Sequence, residues 1–247
     1  MKGIRILIAG MALLGFAGVA TAEVHLNEIY ASHIGTDDQE FIELFGDGSL
    51  DNLGIIIIEG DFGGTFGNVK RATDLTGNSM PGDGYFVVGD DAVANLDLSI
   101  GATNTIENGT ETFVLIDFTG GALPAVGTDL DTDDDGDLDN PLTDIGTVLD
   151  IVGMYDGGID DVTYGGAITI GPDGIFFPPG IFRGSKATGV GDYPEQWNFT
   201  QFLDFDDVQN GGPADNQQTR TPGTANVPEP ATLAMLLIGG LAIRRRR

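Results

Sequence analysis

An all-β sandwich is the fold class this sequence predicts, and three observations carry the prediction. The apolar runs are short, rich in β-branched and aromatic residues, and bounded by Gly, Asp, Asn or Pro. The chain holds 39 Gly and 11 Pro among 247 residues, a supply of turn formers suited to many short strands. Between the two apolar ends, no window shows a capped 3.6-residue apolar period. Seven or more short strands joined by Gly-rich turns read as two packed sheets.

The strands follow in order. Residues 24–30 (VHLNEIY) alternate at their start, and 40–45 (EFIELF) come after an acidic turn. Residues 54–59 carry four consecutive isoleucines, as expected of a strand buried on both faces. Residues 84–89, 111–118 and 147–153 continue the series, and 167–170 and 175–177 are weaker members. No internal repeat and no second domain is evident.

Composition excludes several functions. The absence of Cys rules out disulfides, thiolate zinc sites and a Cys nucleophile. With 11 basic against 38 acidic residues the net charge is −27, which opposes nucleic-acid binding through phosphate neutralisation. Only His25 and His33 are available as imidazole bases or ligands.

Both ends read as addresses. Residues 1–22 combine Lys2 and Arg5, an apolar stretch and the small-residue site Ala20-Thr21-Ala22, the form of a secretory signal peptide. The alternative is a membrane anchor, for which the apolar stretch is short. At the other end Pro228-Glu229-Pro230 precedes 13 apolar residues, Ala231 to Ile243, and four arginines, Arg244 to Arg247. As a helix that stretch rises about 20 Å, short of a hydrocarbon core of about 30 Å. The arginines place the mature region across the membrane from the cytoplasm.

The Pro-Glu-Pro triplet, short apolar helix and arginine cluster resemble the PEP-CTERM sorting signal of Gram-negative bacteria. The resemblance implies recognition by an exosortase, cleavage near Pro228-Glu229-Pro230, and transient membrane association through the C-terminal helix. It further implies transfer to the cell envelope surface or extracellular matrix, in the company of exopolysaccharide. The domain plan is therefore 1–22 signal peptide, 23–226 exported domain and 227–247 sorting signal. From Glu23 to Val227 five basic residues face 37 acidic ones, a net charge of −32. Such a surface repels anionic polymers unless cations bridge them.

A second resemblance lies in the exported region. Leu26-Asn27-Glu28-Ile29-Tyr30, then Glu40-Phe41-Ile42-Glu43-Leu44, then the isoleucine strand look like the opening of a lamin-tail domain. Pro81-Gly82-Asp83-Gly84 before Tyr85 to Val88, and the closing Thr221-Pro222-Gly223-Thr224-Ala225-Asn226, are similar to later parts of that family. The resemblance implies an immunoglobulin-like β-sandwich with an adhesive or scaffolding role rather than a catalytic one. The region 119–215 is longer than a minimal lamin-tail domain. Read from the residues alone, Phe41 and Leu44 face a core, while Asn27, Glu28, Glu40 and Glu43 make structural hydrogen bonds.

One stretch carries specific chemistry, the acidic loop 129–140 (DLDTDDDGDLDN). In a calcium frame starting at Asp131, the ligands are Asp131, Asp133, Asp135, Asp137 and Asp139, with Gly136 at the sharp turn. Alternate carboxylates supply the six to eight hard oxygens that calcium takes at about 2.3–2.6 Å. The loop resembles those of EF-hands, dockerins and thrombospondin type 3 repeats. It departs from them at position 12, where Leu142 replaces the bidentate Glu, and at Pro141, where an exiting helix would begin. Asp144 is a substitute ligand from a longer loop, and a solvated loop without an ion is the alternative.

Weaker candidates complete the reading. Asp204, Asp206 and Asp207 read as surface charge, and Asp156, Asp160 and Asp161 flank a Gly-rich turn. Ser32 beside His33 lacks a Gly-x-Ser-x-Gly elbow, and residues 60–67 lack the Lys of a phosphate loop. Trp197 with Tyr193 and Phe199 is either core packing or a sugar-stacking platform. The expectation is a non-catalytic exported surface protein with a calcium-ordered loop. The alternatives are a carbohydrate-binding module for exopolysaccharide and a metal-dependent hydrolase.

Overall fold

A computed structural model describes residues 23–32, 36–63, 65–172, 177–183, 197–200 and 220–225. Residues 1–22, expected as a signal peptide, His33, Tyr193, Asp204, Asp206, Asp207, Asn226 and the sorting segment with Pro228, Glu229 and Pro230 lie outside them, as does the side chain of Phe199.

The described chain is almost entirely β. In order it forms β1 (His25–Tyr30), β2 (Phe41–Phe45), β3 (Leu53–Glu59), β4 (Val69–Asp74), β5 (Tyr85–Asp90) and β6 (Leu98–Gly101). Then come β7 (Glu111–Asp117), the single-turn α1 (Leu142–Ile145), β8 (Thr147–Met154), β9 (Ile168–Ile170), β10 (Gly180–Arg183) and β11 (Trp197–Thr200). No helix of the described residues is long and apolar enough to cross a membrane.

The strands make two sheets, ordered β11-β10-β1-β2-β5-β6 and β4-β3-β7-β8-β9. Pairing is antiparallel except at one edge of each sheet, where β6 joins β5 and β9 joins β8 in parallel. The isoleucines of β3 explain the second sheet's central place. Ile55 and Ile57 point between the sheets, and Ile56 and Ile58 point outward, yet all four are at most 1% exposed. Alternation along a strand forces that split, so β3 needs cover on both faces. Each such side chain contributes about 1.5–3 kcal/mol on burial.

Three apolar clusters follow. The main core packs Leu26, Ile29, Ile42, Leu44 and Val88 of the first sheet against Ile55, Ile57, Phe113, Leu115 and Met154 of the second. A second cluster lies on the outer face of the second sheet, where Phe66, Leu130, Leu142 and Tyr164 cover Ile56, Ile58, Val114 and Ile116. Tyr30, Phe41, Val87 and Val93 form the third, on the outer face of the first sheet. Phe41 therefore does not share a face with Leu44, contrary to expectation. They are three positions apart, and a strand's period of two puts odd offsets on opposite faces.

Among the described residues, one ion pair joins the sheets. Arg183 of β10 donates through Nη2 to Asp150 of β8, 2.5 and 2.6 Å from its two oxygens, and through Nε to the carbonyl of Leu26 at 2.6 Å. Asp150 also accepts the N–H of Leu26 at 2.8 Å.

Of the strand expected at 175–177, residues 175 and 176 lie outside the described residues. Phe177 lies outside any strand, and β10 starts at Gly180, past Pro178 and Pro179. Proline has no N–H for the ladder, which delays pairing.

Candidate metal centre

The acidic loop is part of the second sheet's outer cover. Leu130 and Leu142 flank it and are both buried in the outer cluster, pinning its ends while the carboxylates between stay near solvent. Asn140 donates its N–H to the Leu130 carbonyl at 3.2 Å and closes the base. Asp134 (φ 55°) and Gly136 (φ 90°) turn the chain inside it. The loop rests on Gly67 (φ 74°), where a Cβ would stand 2.5 Å from the Cβ of Asp131.

Asp131 organises the loop. It is fully buried, and Oδ1 accepts the N–H of Asp135 at 3.2 Å while Oδ2 accepts that of Gly136 at 3.0 Å. Tyr164 also donates its hydroxyl to Oδ2, at 3.0 Å. Asp139 accepts the N–H of Thr132 at 2.9 Å and its hydroxyl as well. Those bonds hold the Asp139 carboxyl below the usual range, whereas the charge of Asp135, ahead of other causes, pushes that of Asp133 up.

Of the five residues in the calcium frame, the structure brings three together. Carboxylate oxygens of Asp131, Asp133 and Asp139 lie within 4.8 Å of one another. Asp135 and Asp137 are not in that group: Asp135 instead accepts the N–H of Asp137 at 3.0 Å. Leu142, at position 12, is buried in the outer cluster, and Asp144 sits exposed in α1. α1 starts directly after Pro141, so the loop exits into one helical turn.

The donor set fits a hard divalent cation. Three carboxylates converge in a loop with no Lys or Arg from 129 to 140. Each carboxylate has about four lone-pair sites, so Asp131 keeps acceptor capacity after its N–H and O–H bonds. Without a cation, only backbone N–H groups and two hydroxyls offset the mutual repulsion.

A second group was not legible in the sequence. Asp61, Asp156 and Asp161 also bring carboxylate oxygens within 4.8 Å of one another. Thr110 sits among them: its N–H donates to Asp61 at 2.6 Å, and its Oγ1 is 3.1 Å from oxygens of both Asp156 and Asp161. Burial first, then Asp156 and other acidic neighbours, push Asp61 up to about 6. Asp160 turns away at φ 70° and is exposed. The only sequence signal was Asp156 and Asp161 at one turn. Asp61 arrives from a different loop.

The polar residues of the strand motifs are structural, as expected. Asn27 donates to Glu43 at 2.6 Å, and Glu28 accepts from Thr221. Glu40 accepts the N–H groups of Thr105 and Ile106 at 2.5 and 2.8 Å. Trp197 packs against the main core, with the Arg183 guanidinium 4.5 Å from its ring centroid. His25 stacks edge-on against Phe45, and its Nδ1 lies 3.1 Å from the carbonyl of Glu23.

Comparison with known proteins identifies the C-terminus. The PEP-CTERM protein-sorting motif matches residues 226–247. No curated protein and no solved structure matches the chain. The motif implies a protein exported across the membrane of a Gram-negative bacterium to the cell surface and sorted by an exosortase.

Proposed function

We propose that the chain is a non-catalytic component of the cell surface or extracellular matrix whose acidic loop is ordered by calcium. Asp131, Asp133 and Asp139 hold the ion, and the ion supplies the positive charge that their convergence lacks. The observation that carries this reading is that convergence, in a loop anchored by Leu130 and Leu142 on the second sheet. Calcium rather than magnesium suits this carboxylate set, because magnesium demands tight octahedral geometry and retains its waters. Extracellular calcium modules bind at about 10⁻⁴–10⁻³ M, within reach of a secreted protein.

The same reading places the exported domain with lamin-tail domains of immunoglobulin-like type. It is supported by the meeting of three stretches that carry that resemblance: Asn27-Glu28, Glu43 and Thr221-Pro222-Gly223 join in one hydrogen-bonded group. The role is ordering and bridging. Cations on the acidic surface link it to acidic polysaccharide, which that surface would otherwise repel.

Fractionation of the producing cells with intact-mass analysis tests the export half. The expected product lacks residues 1–22 and the arginine tail and is found at the surface or in the matrix. An uncut chain in the cytosol overturns the proposal.

A further inference from the structure

A cleft of about 450 Å³ opens between β4, the 104–108 loop and the start of β7, well inside the range of small-molecule sites. It shares no residue with either aspartate group. Its wall includes Glu111, which is 1% exposed and whose two carboxyl oxygens have no side-chain hydrogen-bond partner among the described residues. A buried polar group left in that state costs about 1–3 kcal/mol, so a bound donor or acceptor here recovers stability.

The rest of the lining states what kind of group that is. Arg71 donates through Nε to the Thr105 carbonyl at 2.9 Å and through Nη1 to the Ile100 carbonyl at 3.2 Å, leaving Nη2 for a ligand. Lys70 is bound to Glu59 at 2.9 Å and to Glu107. Asn104 and Asn108 add amide groups at the exposed lip, where Asn108 donates through Nδ2 to Asp37 at 3.1 Å and presents its carbonyl oxygen to a ligand. Burial, with Glu59 and Glu107 nearby, pushes the Glu111 carboxyl well above its usual range.

An incoming anion meets Glu107, and an incoming cation meets Arg71 and Lys70. A lining with donors and acceptors of both formal charges suits a ligand that offers both and carries no charge, which is a neutral polyol. We propose that this cleft binds a neutral sugar unit, with Glu111 and Arg71 at its floor and Asn108 at its lip. This goes beyond the calcium reading, because it uses other residues and needs no ion. The wall is built for rigidity: Glu40 holds the N–H groups of Thr105 and Ile106, and Asp90 accepts the Thr105 hydroxyl at 2.7 Å.

Saturation-transfer NMR on the protein isolated from its cells tests the site. The probes are glucose, galactose, mannose and N-acetylglucosamine, with glucuronate and inorganic phosphate beside them. EDTA is present throughout, so the outcome is independent of calcium. Transfer to at least one neutral sugar is expected, with affinity reduced at least tenfold in Glu111→Leu and in Asn108→Ala. Glu111→Leu should melt no lower than the parent, because it removes a buried carboxyl that no side chain satisfies. If that variant does not fold, Asn108→Ala on the exposed lip decides. Silence from all four neutral sugars, binding confined to glucuronate or phosphate, or undiminished binding in Asn108→Ala overturns the proposal.

Discussion

Glu28 in the first strand and Thr221 near the chain end, 193 residues apart, are joined within one buried site. The Thr221 hydroxyl donates to Glu28 Oε2 at 2.8 Å, and its N–H lies 3.2 Å from both carboxyl oxygens. Gly223 donates its N–H to Glu43, the cross-strand partner of Glu28, at 2.6 Å. Asn95 reaches the Pro222 carbonyl at 2.8 Å, and the Arg220 guanidinium lies 5.3 Å from the centroid of the Tyr30 ring. The segment preceding the sorting motif is thus fastened to β1 and β2.

Thr221→Val keeps the shape and removes the hydroxyl. It leaves a buried Glu28 oxygen short of a donor and should lower stability by about 1–2 kcal/mol in chemical denaturation. Thr221→Ser should retain most of that stability.

Stability should fall as pH rises through neutrality. Burial, the largest cause in each case, raises Glu28 to about 7, Glu40 to about 8 and Glu43 to about 9, from an ordinary 4.5. Between 4.5 and those values the folded chain holds more protons than the unfolded one. Unfolding free energy therefore declines with pH across that window, and the contribution is complete below it. Melting in EDTA at stepped pH should show this slope, flattened in Glu43→Gln. A melting temperature that climbs from pH 5 to pH 8 contradicts the proton assignment.

Arg183→Met should destabilise by about 3–5 kcal/mol, because it strands the Asp150 carboxylate between the sheets. Adding Asp150→Leu should recover part of the loss, since both charges are then gone. Denaturant midpoints of the single and double variants check this.

Gly67→Ala forces a methyl group toward Asp131 from a left-handed backbone. It should lower both stability and calcium response, while an alanine at Gly77, which has open space around it, should leave the calcium response unchanged. Parallel melts with and without calcium separate the two effects.

What the sequence revealed and what it hid follow from where the information lies. The isoleucine run of β3 and the apolar strands β1, β2, β5, β7 and β8 announce themselves, because burial demands apolar side chains at a period of one or two. β4 (VKRATD) does not: it is an edge strand with only Val69 buried. β6, β10 and β11 are four residues each and take their conformation from the sheet they join. The acidic loop was legible as a frame of alternating aspartates. Which three converge was not, since Asp135 spends an oxygen on the Asp137 N–H. Asp61, Thr110 and Asp161 meet through three separate loops, a juxtaposition that no local spacing encodes.

The most direct test of the calcium-ordered loop is scanning calorimetry of the isolated protein in EDTA and in millimolar calcium, beside Asp133→Asn. Calcium at ten times its dissociation constant contributes about 1.4 kcal/mol. For a domain of this size that raises the melting temperature by about 3–6 °C. The account predicts that rise in the parent and its loss in Asp133→Asn. Identical melting temperatures in EDTA and calcium would contradict it.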